Sequence, residues 1–556
     1  MENNANNEEP CLVPASGQGF SVFYRNRYLY SRYNPEAASV KTAESYTISP
    51  QTLVLCFSPL LGYGLSELIS RLPQGCALIL IEADEALFKL SNAYVQKLIK
   101  DKPYIYNICI SSGSALFSLF AQKLLPSFSN FKRCLPVELS GGAQLYKTFY
   151  HSLTALVDNA INQFWRNRIT LVKLGRLYAR NIFKNLGMMP FAKSLKSGTV
   201  ARPIVVCGSG PSLEGAVEFL QKNSDDCFVV AVDNALMPLL SNGIFPDAII
   251  AVESQLAVEK SYIGSAGTKI DIIADLTSRP HVLNLTGGNV SFFMSEYEQC
   301  NYLERIKKAF NCMVIPPLGS VGLAATEIAL ILRKDENVPV FICGLDFSFK
   351  PCKTHSKETP SHKNLLNGSC RTEPLLRGES SFTLSSWFFA GKDGKPSITT
   401  PALSGYGRTF AARYGRVINL FDISSEGMDL TLERKDLSAA EEIIQNYTES
   451  IIPVRSEEAE TAVQTDTARQ FLENELEALE KLKFRLINGV ELDEIVPSLK
   501  EREYLYLHFP DGYKEPCLEK SFLNRVRAEI DFFIKDIHFS LAEIEKNGIN
   551  SKSGIY

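Results

Sequence analysis

The sequence has no excess of positive charge, since 58 lysines and arginines stand against 62 aspartates and glutamates, a formal net charge of -4. A protein that binds nucleic acid through phosphate contacts needs such an excess, so we expect no nucleic-acid partner. No uninterrupted apolar run of about 18 residues occurs, and no membrane span is predicted. Residues 1–15, rich in Asn and Glu, lack the basic and apolar regions of a secretory signal. These absences together predict a cytoplasmic protein.

Cysteine pairs with a recognisable spacing are missing too. The 13 cysteines are scattered, several of them within apolar segments, and no Cys-x-x-Cys sequence occurs. Cys343 and Cys352 lack the spacing of a zinc site, so no metal site is predicted. This usage is typical of reduced core residues in a cytoplasmic protein. Histidine is scarce, with six in the chain, which leaves few candidates for a general base.

The length of 556 residues predicts two or three domains. Residues 1–195 show an α/β pattern similar to methyltransferase-like nucleotide folds, but glycines for close approach to a cofactor are largely absent. We therefore expect a non-catalytic domain that ends in a linker helix. Residues 196–430 form a second α/β region, and residues 431–556 carry amphipathic helices. These helices favour a small bundle, with a docking surface for an acceptor protein or a homo-oligomer contact as the alternative.

The most informative segment of the chain is a glycine-rich turn between an apolar strand over 204–207 and a helix. The turn consists of Gly208, Ser209, Gly210, Pro211 and Ser212. Glycines let the backbone turn sharply and approach a phosphate, and Ser212 is placed to cap the helix, whose free N–H groups favour an anion. The turn predicts a nucleotide or sugar-nucleotide site, and a strand-to-helix turn without a ligand is the alternative.

Polar residues follow the next strand, which ends in Asp233 and Asn234. Ligands gather at the carboxyl edge of open α/β sheets, so we expect these two residues to hold the ribose or the base. An acidic residue at this distance after a glycine turn also fits a nicotinamide-cofactor pattern. Leu213 stands where that pattern has its third glycine, which disfavours a dehydrogenase.

Two further strand ends are polar. Gly319 and Ser320 precede a helix and offer a second anion-binding turn, with a plain helix cap at Ser320 as the alternative. The strand over 338–343 leads to Asp346, and a polar segment that contains His355 and His362 follows. Polar ends at one edge of a sheet predict a shared site.

The order of these motifs resembles the central domain of the motility accessory factor family of flagellin glycosyltransferases. That domain is also similar to 6-hydroxymethylpterin pyrophosphokinase-like domains and to bacterial sialyltransferases that use a CMP-activated donor. The resemblance covers roughly residues 195–430. Ser209 replaces an asparagine of the sialyltransferase loop, whereas Asn234 fits the second asparagine of that pattern.

The resemblance implies a Rossmann-like, sialyltransferase-type central α/β domain between the N-terminal α/β domain and the helical C-terminal domain. It implies a glycosyltransferase that moves a nonulosonic acid, such as pseudaminic acid, from CMP to Ser or Thr of flagellin, as flagellum assembly and motility require. The glycine turn and Asp346 would bind the donor, and no cofactor would be required. His355 matches the family's histidine after the Gly-x-Asp strand and is implied as the general base.

Two other functions stay open at this point. A pterin pyrophosphokinase-like enzyme would use ATP and need magnesium, for which Asp346 is the candidate. A non-catalytic flagellin-binding chaperone would need no nucleotide. Tyr406, Arg408, Arg413 and Tyr414 are further candidates for binding a sugar carboxylate or phosphate, or are ordinary surface residues.

Overall fold

The computed structural model describes residues 9–100, 102–110, 131–375, 385–449, 465–488, 492–512, 516 and 518–553. The chain divides into two compact units, which are Met1–Lys173 with Phe509–Glu515 and Leu174–His508 with Pro516–Tyr556. The helix Lys147–Leu186 begins in the first unit and ends in the second. The domain boundaries expected at 195/196 and 430/431 stay predictions.

The first unit contains two sheets. Its strands are β1 Cys11–Pro14, β2 Phe20–Tyr24, β3 Arg27–Tyr28, β4 Thr52–Phe57, β5 Ala77–Glu82, β6 Ile105–Cys109 and β7 Arg133–Glu138. The first three form an antiparallel sheet, and the others form a parallel sheet in the order β6-β5-β4-β7. Among its described residues before 147, the α-helices are Pro35–Ser45, Leu65–Ser70 and Glu85–Ile99. The central strands β4 and β5 are buried throughout, as their continuous apolar sequences predict.

A buried carboxylate ends β5, where a nucleotide fold places its ribose-binding acid. Glu82 is fully buried, and Ser58 Oγ donates to its Oε2 at 2.7 Å while Tyr150 OH donates to its Oε1 at 3.3 Å. Asp84 accepts hydrogen bonds from Tyr146 and Tyr24 in the same way. The chain's own hydroxyl groups therefore take the hydrogen bonds that a ribose would make.

We expect Glu82→Gln to remove part of the pH dependence of the first unit's stability. Burial raises the pKa of Glu82 to about 7 from an ordinary value of 4.5. Between pH 4.5 and pH 7 the folded state therefore binds more protons than the unfolded chain. The stabilisation contributed by protonated Glu82 is complete below pH 4.5 and is lost as the pH rises through 7. As the pH rises from 5 to 8, the free energy of unfolding of the variant should increase by on the order of 2 kcal/mol relative to that of the parent.

Urea unfolding followed by Trp165 fluorescence in a Trp387→Phe background measures this effect, since these are the two tryptophans of the chain. Glu85→Gln is the matched control, because the Glu85 side chain is 75% exposed. An unchanged pH dependence in Glu82→Gln would contradict the prediction.

The second unit is built on a large parallel sheet. Its strands are β8 Ile204–Cys207, β9 Phe228–Val232, β10 Ala248–Ala251, β11 Asp271–Asp275, β12 Val290–Ser295, β13 Met313–Ile315, β14 Val340–Cys343, β15 Trp387–Ala390, β16 Pro396–Thr399, β17 Leu420–Asp422 and β18 Glu433–Arg434. Nine of them pair in the order β13-β12-β11-β10-β9-β8-β14-β17-β18, all parallel, and β15 and β16 form an antiparallel hairpin. The predicted α/β fold class is confirmed.

The order in which the chain adds strands to this sheet reverses between β8 and β14. The chain moves outward from β8 through β13 and then returns to place β14 on the other side of β8. Ligands bind at the carboxyl ends of the strands where an open α/β sheet reverses direction. We refer to the carboxyl ends of β8 and β14 as the switch point.

Helices flank the sheet and form the C-terminal region. Within the second unit they are Val217–Asn223, Leu236–Ser241, Asn301–Phe310, Val321–Leu332, Pro360–Gly368, Pro401–Tyr414, Leu437–Glu449, Thr465–Asn488, Leu492–Lys500 and Lys520–Ser553. The predicted C-terminal amphipathic helices are present. Thr465–Asn488 packs on Lys520–Ser553, and each of the two helices has buried apolar residues, such as Leu479 and Ile530. Across the described ranges, no helix has the length and apolarity to cross a membrane.

Candidate functional site

The glycine turn after β8 lies against the turn after β14. Gly208 N donates to Cys343 O and Gly210 N donates to Gly344 O, both at 2.8 Å. A Cβ on Gly208 would lie 2.3 Å from Gly344 O, and a Cβ on Gly344 would lie 2.3 Å from Gly208 O. Only glycine allows this approach. Two segments far apart in sequence therefore form one structure at the switch point.

Asp346 occupies the start of the short helical turn Pro211–Ala216. Ser212 N donates to Asp346 Oδ2 at 2.8 Å, and the Ser212 hydroxyl donates to Asp346 Oδ1. The prediction that Ser212 caps this helix is wrong, since Gly210 holds the cap position without a side-chain bond. A carboxylate is a stronger acceptor than a hydroxyl at a helix N-terminus, so the acid from β14 takes the site.

A buried network surrounds Asp346. Burial raises the pKa of Asp346 to about 6, while the hydrogen bonds from Ser212 and the charge of Lys392 act to lower this pKa. Lys392 forms an ion pair with Asp422 at the end of β17, and both side chains are 1% exposed. One buried cation therefore balances two carboxylates beside the glycine turn.

Asp233 and Asn234 lie at the end of β9, the neighbour of β8. Asp233 is buried, and burial followed by the nearby charge of Glu253 raises its pKa to about 6. Asn234 Oδ1 accepts a hydrogen bond of 2.7 Å from Ser261 Oγ. Glu253 follows β10 and is partly exposed. The sequence did not lead us to predict Glu253 or Ser261 as site residues. Glu253 follows the apolar strand β10 as Asp233 follows β9, so the same signal could have identified it.

Gly319 and Ser320 precede the helix Val321–Leu332, which packs against β8, β9, β10 and β14. Ser320 is the N-cap residue and makes no side-chain cap bond. Gly319 has a φ of +73°, and a Cβ there would lie 3.1 Å from the ring of Tyr406. A Cβ on Gly322 would lie 2.5 Å from Leu345 Cδ2. The start of this helix is therefore next to the turn after β14.

The segment that contains His355 is tied to the glycine turn. Ser356 N donates to Ser209 O at 2.9 Å, which fixes His355 directly beside this turn. The ring Nδ1 of His355 lies 3.2 Å from Thr354 Oγ1. Lys353 Nζ pairs with Glu214 at 2.9 Å. Backbone and ionic contacts of its neighbours thus place residue His355, whose side chain is partly exposed, beside the glycine turn.

Other candidates have separate environments. His362 lies in the helix Pro360–Gly368, and within the described chain its buried Nδ1 has no hydrogen-bond partner. Arg413 forms a bidentate ion pair with Glu327, and Tyr414 OH donates to the same carboxylate at 2.7 Å. Glu327 therefore already engages two of the residues considered for binding a sugar carboxylate.

The chain is similar in sequence to known proteins. Residues 177–351 match the family model described as 6-hydroxymethylpterin diphosphokinase MptE-like. An uncharacterized protein of Treponema pallidum (strain Nichols) is 32% identical over 554 residues, which cover 95% of each chain. The chain belongs to the MptE-like family of Maf glycosyltransferase-like proteins. The family resemblance drawn from the motifs is thereby confirmed.

Further similarities cover different lengths of the chain. A second uncharacterized protein of the same strain is 29% identical over 117 residues, or 20% of this chain and 56% of the relative. Among solved structures, the Maf glycosyltransferase from Magnetospirillum magneticum AMB-1 matches with a TM-score of 0.55 and 13% identity. That match covers 99% of this chain and 95% of the other, so the two proteins are similar in fold.

No three His, Cys, Asp or Glu side chains converge as metal ligands within the residues that the structure describes. Asp233 and Glu253 follow the neighbouring strands β9 and β10, and the charge of Glu253 acts on Asp233.

Proposed function

We propose that this protein is a cytoplasmic glycosyltransferase that moves a nonulosonic acid from a CMP donor to Ser or Thr of flagellin. The observation that carries the proposal is the backbone hydrogen bond of 2.9 Å from Ser356 to Ser209, which holds His355 beside the glycine turn. The whole-chain similarity to a Maf glycosyltransferase supports it. A base next to a nucleotide-type turn is the arrangement that glycosyl transfer to a hydroxyl requires.

The donor phosphate is assigned to the turn Gly319–Ser320 rather than to Ser212. Asp346 already neutralises the helical turn after Gly210, whereas the 12-residue helix Val321–Leu332 begins without a side-chain cap. Free N–H groups and the helix dipole at that end favour a phosphate. In this proposal, the wall beside the bound phosphate is formed by Gly208, Ser209, Gly210 and Pro211. A leaving group with one phosphate can depart without a divalent ion, so no cofactor is required.

The nucleoside is assigned to the end of β9, where Asp233 and Asn234 hold the ribose or the base. During transfer, the acceptor hydroxyl oxygen forms a bond to the anomeric carbon of the sugar. The bond from that carbon to the phosphate oxygen breaks, and CMP leaves with the electron pair. His355 takes the hydroxyl proton. The products are the glycosylated Ser or Thr, CMP and a protonated imidazole, which loses its proton to solvent.

A second candidate function is ATP-dependent pyrophosphoryl transfer to a hydroxymethylpterin. The match of residues 177–351 to the MptE-like family model favours it. Asp346, the magnesium candidate named from the sequence, already accepts two hydrogen bonds from Ser212. Asp233 and Glu253, which follow the neighbouring strands β9 and β10, would therefore bind the magnesium ion that accompanies ATP.

Ligand-induced stabilisation tests the two functions. We expect CMP at about 100 times its dissociation constant to stabilise the folded protein by roughly 2.7 kcal/mol, because only the folded state forms the site. ATP with Mg²⁺ serves as the opposing probe, and UDP and NAD are the controls. Mass spectrometry of flagellin incubated with a CMP-nonulosonic acid measures transfer. Stabilisation by ATP with Mg²⁺ but not by CMP would favour the pterin enzyme, and flagellin binding without any nucleotide effect would favour a chaperone.

A further inference from the structure

The hairpin of β15 and β16 is attached to the chain segment that links Asp346 to His355. Phe349 and Ile398 exchange two backbone hydrogen bonds of 2.9 Å, and Thr399 Oγ1 donates to Phe347 O at 3.0 Å. The inner strand β16 therefore lies beside the chain that leads from the switch point to the histidine segment. The outer strand β15 lies one strand further out.

Among the described residues, the outer edge of β15 has no strand partner for its backbone groups. Along an antiparallel hairpin, hydrogen-bonded residue pairs alternate with pairs that are not hydrogen-bonded. Gly391 N donates to Lys395 O, so the next pair, Ala390 with Pro396, is not hydrogen-bonded, in agreement with the missing N–H of Pro396. The N–H and C=O groups of Phe388 and Ala390 consequently point away from β16. Within the described ranges, no strand pairs with this edge.

Two large aromatic side chains lie on the same outer strand. Trp387 is 41% exposed and Phe388 is 65% exposed, and as successive strand residues they project to opposite faces. Edge strands are usually protected by charges, proline or bulges, because unpaired edges recruit other chains. Exposed aromatic residues on such an edge are instead typical of interfaces.

We propose that the outer edge of β15 docks an extended Ser- or Thr-containing segment of the acceptor protein, which adds as a strand beside β15. This inference rests on the proposed transfer to a protein hydroxyl. Main-chain pairing would give affinity with little dependence on acceptor sequence, and Trp387 and Phe388 would contact alternate acceptor side chains. The attachment of the hairpin beside the chain to His355 then sets the distance between the docked segment and the base.

The size of the edge favours a substrate over a second copy of this chain. The strand β15 has four residues, which span only about 13 Å. Pairing of two such edges would bury far less than the roughly 1,600 Å² of a standard stable interface. A small contact suits a substrate that must leave after each transfer.

Binding of unglycosylated flagellin, measured by biolayer interferometry without nucleotide, tests the docking site. We expect Phe388→Ser to weaken binding at least about tenfold, since it removes an exposed aromatic anchor. Ala390→Pro should weaken binding about threefold to tenfold, because it removes an outward N–H without removing a bond to β16. Ala390→Val keeps that N–H and serves as its control. Phe484→Ser, with an equally exposed phenylalanine at 66%, controls for general loss of apolar surface.

The outcomes separate this inference from the proposed function. Binding that is lost in Phe388→Ser and Ala390→Pro but retained in both controls supports the docking site, even where CMP binding and transfer are absent and the proposed function fails. Absence of flagellin binding by the parent protein, or equal binding by all variants, overturns the docking site. Sedimentation in which Ala390→Pro converts a dimer to a monomer overturns it as well, since the edge would then join two copies.

Discussion

We expect the His355→Ala variant to transfer sugar about 100-fold more slowly than the parent, or slower still, with nearly unchanged affinity for CMP. A general base acts on the acceptor hydroxyl in the transition state, so its removal lowers turnover rather than donor binding. The position beside Ser209, set by the Ser356 backbone bond, is the structural reason for this expectation. Single-turnover transfer to flagellin and CMP titration by calorimetry measure the two quantities separately.

His362→Ala is the matched control for this prediction. His362 lies on the helix Pro360–Gly368, seven positions after His355 in the chain, and should retain most of the transfer rate. Full activity in His355→Ala with a large loss in His362→Ala would move the base to His362. Weakened CMP binding in His355→Ala would assign His355 to the donor instead.

We expect Gly210→Ala to abolish CMP binding and to destabilise the second unit by about 1–3 kcal/mol. An added Cβ would lie 2.6 Å from Asp346 Oδ2 and 2.7 Å from Gly344 O. Ser212 holds the carboxylate with two hydrogen bonds, and Gly344 O accepts a 2.8 Å hydrogen bond from Gly210 N, so neither atom can move away without disturbing a hydrogen bond. The added methyl group must therefore separate the turns after β8 and β14. Thermal unfolding and CMP titration measure the two effects.

Gly215→Ala is a close control because it lies five residues further along the same segment. A Cβ at Gly215 would have its nearest neighbour, Ser425 Oγ, at 3.6 Å, an ordinary contact. This variant should stay within about 0.5 kcal/mol of the parent and bind CMP normally. Equal behaviour of the two variants would show that the glycine turn does not need its close contact with Asp346.

The sequence predicted the main parts of the second unit because its local signals are strong there. Apolar runs bounded by polar residues predicted β8, β9 and β14, and the structure places them side by side. The sequence predicted no helix or strand between residues 254 and 315. The apolar stretch in β11, Asp271–Asp275, is nevertheless a strand signal of the same kind. Its short length and the irregular segments on both sides conceal it.

The hydrogen-bond partner of Ser212 could not be predicted from its local sequence. A serine after a glycine turn is a good helix cap. Ser212 instead donates hydrogen bonds to Asp346, which follows β14. Asp346 lies 134 positions later in the chain, and no local pattern indicates that its carboxylate reaches the same helical turn. The cation Lys392, which balances Asp346 and Asp422, comes from the β15–β16 turn and was likewise outside the prediction.

The sequence by itself determined the α/β class, the position of the glycine turn and the identity of the polar strand ends, because periodicity and turn chemistry act over a few residues. The tertiary structure decided which of these ends meet. The reversal of strand order at β8 and β14 brings Gly208 to Gly344, and one backbone bond brings His355 to Ser209. Such long-range contacts depend on how the sheet is threaded, so the arrangement of the candidate site is a property of the folded chain.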